Sequence, residues 1–249
     1  MCDCEARLSA EFERRLEQEK LAALKELAYG AGHEINNPLA NIAARAQTLL
    51  RDEPDPERRR MLAAIHRQAM RAHEMIADLM LFAQPPALCV AEFDLRRIVG
   101  EVVDEQRDLA AEREIELVCE AGDAAISIRG DATQLAVAIG AVVTNAIEAV
   151  GASGHVDVAV RAASRDGRPW AEVTVRDDGP GISEEVRRHL FDPFFSGREA
   201  GRGLGFGLSK CWRIVTEHGG KVAVASDTRG GAELTISLPI AAELKNSTN

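Results

Sequence analysis

Asp177-Asp178-Gly179-Pro180-Gly181-Ile182 closes an alternating apolar run, Trp170 to Asp177, and opens a turn. A carboxylate at a strand end followed by two glycines lets a ligand lie against bare backbone. An aspartate so placed can accept a hydrogen bond from the exocyclic amine of adenine, which guanine does not present at that edge. By itself the segment reads equally well as a tight surface turn. Two further segments share its chemistry. In Gly203-Leu204-Gly205-Phe206-Gly207-Leu208-Ser209 the glycines stand where a loop enters a helix, so that unpaired N–H groups and the helix dipole face phosphates, although any flexible loop can share that composition. Asn145 lies on a helix whose Leu135, Ile139, Val142 and Val143 face a core. Its amide oxygen can ligate a Mg²⁺ that bridges phosphates; taken alone, Asn145 reads as a surface or core-edge residue.

Around these segments the pattern is mixed helix and strand. A helix is expected near Leu95 to Glu112, strands at Ile115 to Cys119 and Ala125 to Ile128, and a helix from Asp131 to Val150. Strands follow at His155 to Ala162 and Trp170 to Asp177, then a helix from about Gly205 to Glu217, then strands at Lys221 to Ser226 and Ala232 to Leu238. This order predicts a sheet with helices stacked on one face, an α/β sandwich.

Upstream of Gln84-Pro85-Pro86 the pattern changes. Leu21, Leu24, Ala28, Ala31, Ile35, Leu39, Ile42, Ala46 and Leu49 recur in steps of three and four, as in a bundled helix. Arg51 to Pro56 reads as a turn, and Met61, Ile65, Ala69, Ala72, Ile76, Leu79 and Ala83 form a second apolar stripe. The two helices make an antiparallel hairpin that covers only part of each stripe, so two copies packed as a four-helix bundle are expected on burial grounds. The proline pair ends the second helix and marks the domain boundary. The expected domains are a helical extension at 1–25, a hairpin domain at 26–86, the α/β domain at 87–240 and a tail at 241–249.

The chain has 249 residues, 46% of them hydrophobic, and a net charge of -10, which argues against nucleic-acid partners. No apolar stretch approaches the roughly 20 residues needed to cross a bilayer, and no signal peptide is visible at the N-terminus, so a cytoplasmic protein without membrane insertion is expected. Five cysteines without framework spacing read as reduced thiols, and Cys2 with Cys4 alone makes a poor metal site.

In the order Asn145, Asp177 to Gly181, Phe191-Asp192-Pro193-Phe194-Phe195 and Gly203 to Gly207, these segments resemble the N, G1, F and G2 boxes of the Bergerat-fold ATPases, in particular the catalytic domain of sensor histidine kinases. Ile214 to Gly220 and Leu238-Pro239 extend the likeness. His33-Glu34-Ile35-Asn36-Asn37-Pro38-Leu39 resembles the H-box of the same kinases, so the likeness covers nearly the whole chain. It implies ATP bound through Asn145, Asp177, Gly179, Gly181, Gly203, Leu204, Gly205 and Gly207, with Mg²⁺ on Asn145 and a loop over the nucleotide at about Ser196 to Arg202. It further implies autophosphorylation of His33, transfer to an aspartate of a response-regulator receiver domain, and a homodimer.

The chemistry at His33 is intelligible from the residues. A neutral imidazole attacks phosphorus through one ring nitrogen while the other carries a proton, so the adjacent Glu34 can fix the tautomer and stabilise the developing charge. Asn37, one helical turn on, can orient a water against an acyl phosphate, which in the family supports phosphatase activity. Against this stand a helix start at Asn37-Pro38 and a merely solvated His33 like His66 and His73. The upstream register opposes the first, the ATP-type segments the second.

Two departures from the family pattern stand out. Ala141 occupies the place of a second asparagine, and Ser196-Gly197-Arg198-Glu199 replaces the usual threonines and lysine. Either γ-phosphate handling is weakened, or Arg198 or Arg202 supplies the charge; the second reading is preferred. His218 reads as structural, and Trp170 and Trp212 as core or interface residues. The competing functions are a nucleotide-binding scaffold or phosphatase-biased homologue lacking efficient kinase activity, and a Bergerat ATPase of another class. The input signal is not legible: it enters through residues 1–25, an upstream sensor protein, or a sensor domain outside this chain.

Overall fold

The computed structural model describes residues 19, 32, 34–83, 86–122, 124–165, 167–193, 195, 205–226 and 230–240. The chain divides into two compact units, Met1–Pro86 and Ala87–Asn249.

In the first unit, helix α1 runs through residues 34–52 and α2 through Pro56–Ala83. Glu34 to Asn37 are already helical, so Pro38 lies inside α1 and Asn37 does not cap a helix start. The turn is tighter than the composition suggested: only 53–55 are non-helical. Asp55 Oδ1 accepts from Glu57 N at 2.8 Å, and Pro56 takes the first helical position, where its missing N–H costs nothing. Small residues line the contact between the helices. Ala43, Ala46 and Ala69 are buried with Leu79, and a Cβ on Gly32 would stand 2.5 Å from Met80 Sδ. The single seam expected for α1 therefore divides. Ala46 faces α2 and Leu39 is half-buried, while Ile35, Ile42 and Leu49 point outward, the last two 45% and 60% exposed, with Met61 and Ile65 exposed on α2.

In the second unit, β1 (Ala91–Asp94) pairs antiparallel with β3 (Ser127–Gly130). A five-stranded sheet has the order β2-β4-β5-β7-β6, formed by Ile115–Glu120, Gly154–Arg165, Arg168–Asp177, Ala232–Pro239 and Lys221–Ser226 respectively. Only β2 and β4 are parallel; the other neighbours are antiparallel. Helices α3 (Leu95–Glu112), α4 (Ala132–Val150) and α6 (Gly207–Glu217) pack on this sheet, and a short α5 covers Glu184–His189. Alternation along the strands decides which face they cover. Val156, Val158 and Val160 of β4, Val173 and Val175 of β5, and Leu234, Ile236 and Leu238 of β7 are buried under the helices. The opposite face is polar. There Glu172 is bonded by Arg161 and Arg165, and although burial pushes its carboxyl up, those hydrogen bonds prevail and hold it below its ordinary value.

Three expectations change. The strand β3 begins two residues later than expected because it is built on β1, a four-residue strand too short to show alternation. The short helix α5, with Ser183 as its cap, was also not anticipated. The helix α4 is 19 residues long and apolar enough to span a bilayer by length and composition, contrary to the expectation that no stretch is. Its Leu135, Ile139, Val142, Val143, Ala146 and Ile147 have no exposure at all in the core, which explains its hydrophobicity by packing.

Candidate functional site

Asp177 ends β5 on the covered face of the sheet and is 4% exposed. Its Oδ1 accepts from Gly179 N at 3.0 Å and from Ala232 N at 3.3 Å. Its Oδ2 is buried without a hydrogen-bond partner among the described residues. Burial pushes this carboxyl above its ordinary value, against the two N–H bonds that act to lower it. A buried acceptor oxygen with nothing to accept from is costly, and it marks a place where a ligand donor would be repaid.

The turn after Asp177 is built to be bare. A Cβ on Gly179 would stand 2.8 Å from Asp177 Oδ1 and 3.1 Å from the carbonyl carbon of Ala149, in the last turn of α4. Gly181 has φ +79°. Because the turn lands on Ala149, the α4 residue one helical turn earlier, Asn145, shares its side of the helix. Asn145 is half-buried, and Ala141 lies a further turn back on that stripe.

At the start of α6, Gly205 has φ +71°, and any side chain there would run into the backbone of Phe195. Gly207 is the first residue of α6, and the N-cap position, Phe206, offers no side-chain cap bond. Among the described residues no side chain caps this helix start, whose first-turn N–H groups suit a ligand with negative charge. Phe195 packs its ring at a tilt against His189, with centroids 5.4 Å apart, and His189 Nδ1 lies 2.7 Å from Asp192 Oδ2, which braces Phe195 against the end of α5.

Of the residues expected to act, Asp177, Gly179 and Gly181 form one turn, against the same α4 that carries Asn145, while Gly205 and Gly207 stand at the head of α6. Glu34 and Asn37 are exposed on α1 in the other unit. His33, Arg198, Arg202, Gly203 and Leu204 lie outside the described residues, as do Gln84, Pro85, Phe194, the loop at Ser196 to Arg202, the tail at 241–249 and, Glu19 aside, the extension at 1–25. Trp212 is 46% exposed and so is not a core residue.

A buried network not read from the sequence supports both helices. Asp131 caps α4 through Gln134 N at 3.0 Å and binds Cys89 N at 2.9 Å through its other oxygen. Burial acts to raise its carboxyl, but these N–H bonds prevail and hold it low. His218, 2% exposed at the end of α6, accepts from Asp131 N at Nε2 (2.9 Å) and so donates from Nδ1 to the Ile214 carbonyl (2.8 Å). Both ring nitrogens are occupied, so His218 is structural here. A Cβ on Gly130 would crowd its ring, which accounts for that glycine.

The donor set suits a nucleotide: an orphaned carboxylate oxygen for an amine, glycine-bare backbone, and helix N–H groups for phosphate. For a divalent ion the described residues offer no group of three His, Cys, Asp or Glu. The Asn145 amide fits an ion that keeps most of its waters and takes the remaining ligands from phosphate.

Comparison with known proteins agrees with this geometry. The His Kinase A (phospho-acceptor) domain model matches residues 23–87, and the histidine kinase-, DNA gyrase B- and HSP90-like ATPase model matches residues 130–242. Sensor histidine kinase ZraS of Klebsiella oxytoca is 33% identical over 230 residues, covering 92% of this chain and 49% of that protein. Signal transduction histidine-protein kinase AtoS of Escherichia coli (strain K12) is 29% identical over 231 residues, covering 92% and 37%. Histidine kinase ThkA, solved in complex with the response regulator TrrA, superposes with a TM-score of 0.67 at 25% identity, covering 96% of this chain and 68% of that one. The chain thus spans about half the length of the ZraS relatives it matches. With both models in order along it and relatives aligned across nine-tenths of it, the chain is a histidine kinase catalytic core, a phospho-acceptor domain followed by an ATPase domain.

Proposed function

We propose that this chain binds ATP in its second unit, phosphorylates its own His33, and passes the phosphoryl group to an aspartate of a response-regulator receiver domain. The observation that carries the ATP reading is the buried Oδ2 of Asp177, which has no partner among the described residues and is an acceptor suited to the adenine amine. Glycines 179 and 181 let the base approach, and Gly205 and Gly207 at the head of α6 stand ready for the phosphates, which Gly203 and Leu204 would also bind. Asn145 would hold Mg²⁺, which when bound neutralises charge on the phosphates. Arg198 or Arg202 would supply the charge that the family's lysine otherwise provides.

At His33 one ring nitrogen forms the N–P bond as the bond from the γ-phosphorus to the β,γ-bridging oxygen breaks, and ADP leaves with that electron pair. Glu34 holds the proton of the other ring nitrogen and offsets the charge that develops there. Asn37 would orient water in the reverse, phosphatase direction on the regulator. The outward Ile35, Ile42 and Leu49 support pairing of the hairpin with a second copy, in a catalytic portion placed in the cytoplasm. The likeness to kinases by name disfavours the scaffold reading, and ThkA was solved with a response regulator. The domain limits proposed are 26–86 and 87–240, flanked by an extension at 1–25 and a tail at 241–249.

Incubation with γ-labelled ATP tests this most directly. Wild type should take up acid-labile label, His33→Gln should take up none, and Asp177→Asn should take up far less than wild type at sub-saturating ATP. Label persisting in His33→Gln would overturn the assignment. Undiminished rates in both Arg198→Ala and Arg202→Ala would overturn the arginine reading alone.

A further inference from the structure

The turn that carries Asp177 is held by the hairpin between β6 and β7 as well as by its own strand. Gly231 N donates to the Gly179 carbonyl at 2.6 Å, and Ala232 N donates to Asp177 Oδ1. The last residue of β6, Ser226, completes the circuit: its Oγ accepts from Ile182 N at 2.9 Å and donates to the Gly231 carbonyl at 3.1 Å. The ties thus run from Asp177 through Gly179, Gly231 and Ser226 to Ile182 and back along the turn. Apart from Asp177 itself, Ser226 is the one side chain in this ring among the described residues.

The glycines fit this arrangement. A Cβ on Gly181 would stand 2.9 Å from Ser226 Oγ, and a Cβ on Gly231, at φ +89°, would stand 2.5 Å from the Asp177 carbonyl oxygen. Both positions are bare because the hairpin closes tightly on the turn. A hydroxyl suits the place of Ser226 because it must accept and donate at once, and a serine oxygen does both without the bulk of an amide.

We infer that Ser226 is a positioning residue for nucleotide-base recognition: its hydroxyl latches the Asp177–Ile182 turn to the β6–β7 hairpin and so keeps the Asp177 carboxylate aimed at the base. The inference rests on the ATP reading above. The latch acts on binding and leaves the phosphoryl transfer step alone, because among the described residues the Ser226 hydroxyl bonds only the base-side turn and its hairpin. Preorganised acceptors bind better because the ligand does not have to order them.

The test uses the full chain and an ATP analogue with an imido β,γ bridge. In Ser226→Ala the dissociation constant should rise about five- to tenfold, the size expected when a part-buried N–H and carbonyl lose their partner. Ser226→Thr should bind within about twofold of wild type, and Ser226→Cys, a weak donor and acceptor, should fall between. The rate of His33 labelling at saturating ATP should stay within about twofold throughout. Without nucleotide, amide exchange at Ile182 should follow the same order, Thr slowest and Ala fastest.

The inference is overturned if Ile182 exchange is unchanged in the variants, or if it accelerates while affinity stays at the wild-type value. It is also overturned if the saturated rate falls in place of affinity. Should Ser226→Ala not fold, the contrast between Thr and Cys decides. If wild type fails to bind the analogue, the ATP reading falls; the exchange order then still confirms or refutes the latch itself.

Discussion

Asp177→Asn isolates one atom of the proposed site. The carboxamide oxygen can still accept from Gly179 and Ala232, so the fold of the turn is retained, while the buried Oδ2 becomes an NH₂ group. Opposite an adenine amine that exchange sets donor against donor. A hydrogen bond to a charged acceptor is worth roughly 1.5–3 kcal/mol, which corresponds to roughly 10- to 150-fold in affinity. ATP should bind the variant weaker by that factor. Stability should move the other way. Burial raises the Asp177 carboxyl above its ordinary value, so its contribution to folding is complete below its unfolded value of 3.8 and is lost as pH rises through the higher folded value.

At neutral pH the unliganded wild type therefore carries a penalised charge that the variant lacks. Its thermal midpoint should be no higher than that of Asp177→Asn, and the gap in favour of the variant should close on acidification. ATP affinity of wild type relative to the variant should instead grow as pH rises and Asp177 ionises, with the titration of ATP itself cancelling in the ratio. Melting curves with and without ATP from pH 4 to 8 report both quantities. Affinity of the variant within about twofold of wild type, or a ratio flat with pH, would refute the assignment of Asp177 Oδ2 to the base.

Three other outcomes are expected. His218→Leu leaves Asp131 N without an acceptor in a buried site and should lower the unfolding free energy by about 1–3 kcal/mol in urea titration; an unchanged midpoint would show that the network is dispensable. Ile42→Glu with Leu49→Glu places charge on the outward stripe of α1 and should convert a dimer to monomer by light scattering while ATP affinity is kept; a persistent dimer would move the interface elsewhere. The Cys211 thiol, fully buried, is pushed up to about 12, so peptide mapping after reaction with an aromatic disulfide should find exposed Cys89 modified and Cys211 untouched in the native protein. Rapid labelling of Cys211 would show that α6 opens readily.

What the sequence determined by itself is local. Helix periodicity placed α3 at Leu95–Glu112 and put Leu135, Ile139, Val142 and Val143 inward, because each such pattern needs only neighbours three and four residues away. Glycines at 179, 181 and 205 announced backbone that must stay bare, and the carboxylate before them announced a ligand acceptor. What only the tertiary structure decided depends on residues far apart in the chain. No local pattern reveals that Ala232 N completes the grip on Asp177, that Ser226 closes on Ile182, or that His218 seats Asp131 at the head of α4. The α1 seam likewise read as one stripe, since periodicity marks a residue as apolar but does not say what covers it. Packing against α2 buries Ala43 and Ala46 and leaves Ile42 and Leu49 outside. Pairing and burial are set by sheet register and helix contact between distant segments, so Asp177 could be picked out as an acceptor from the sequence alone, but which of its oxygens is left for a ligand could not.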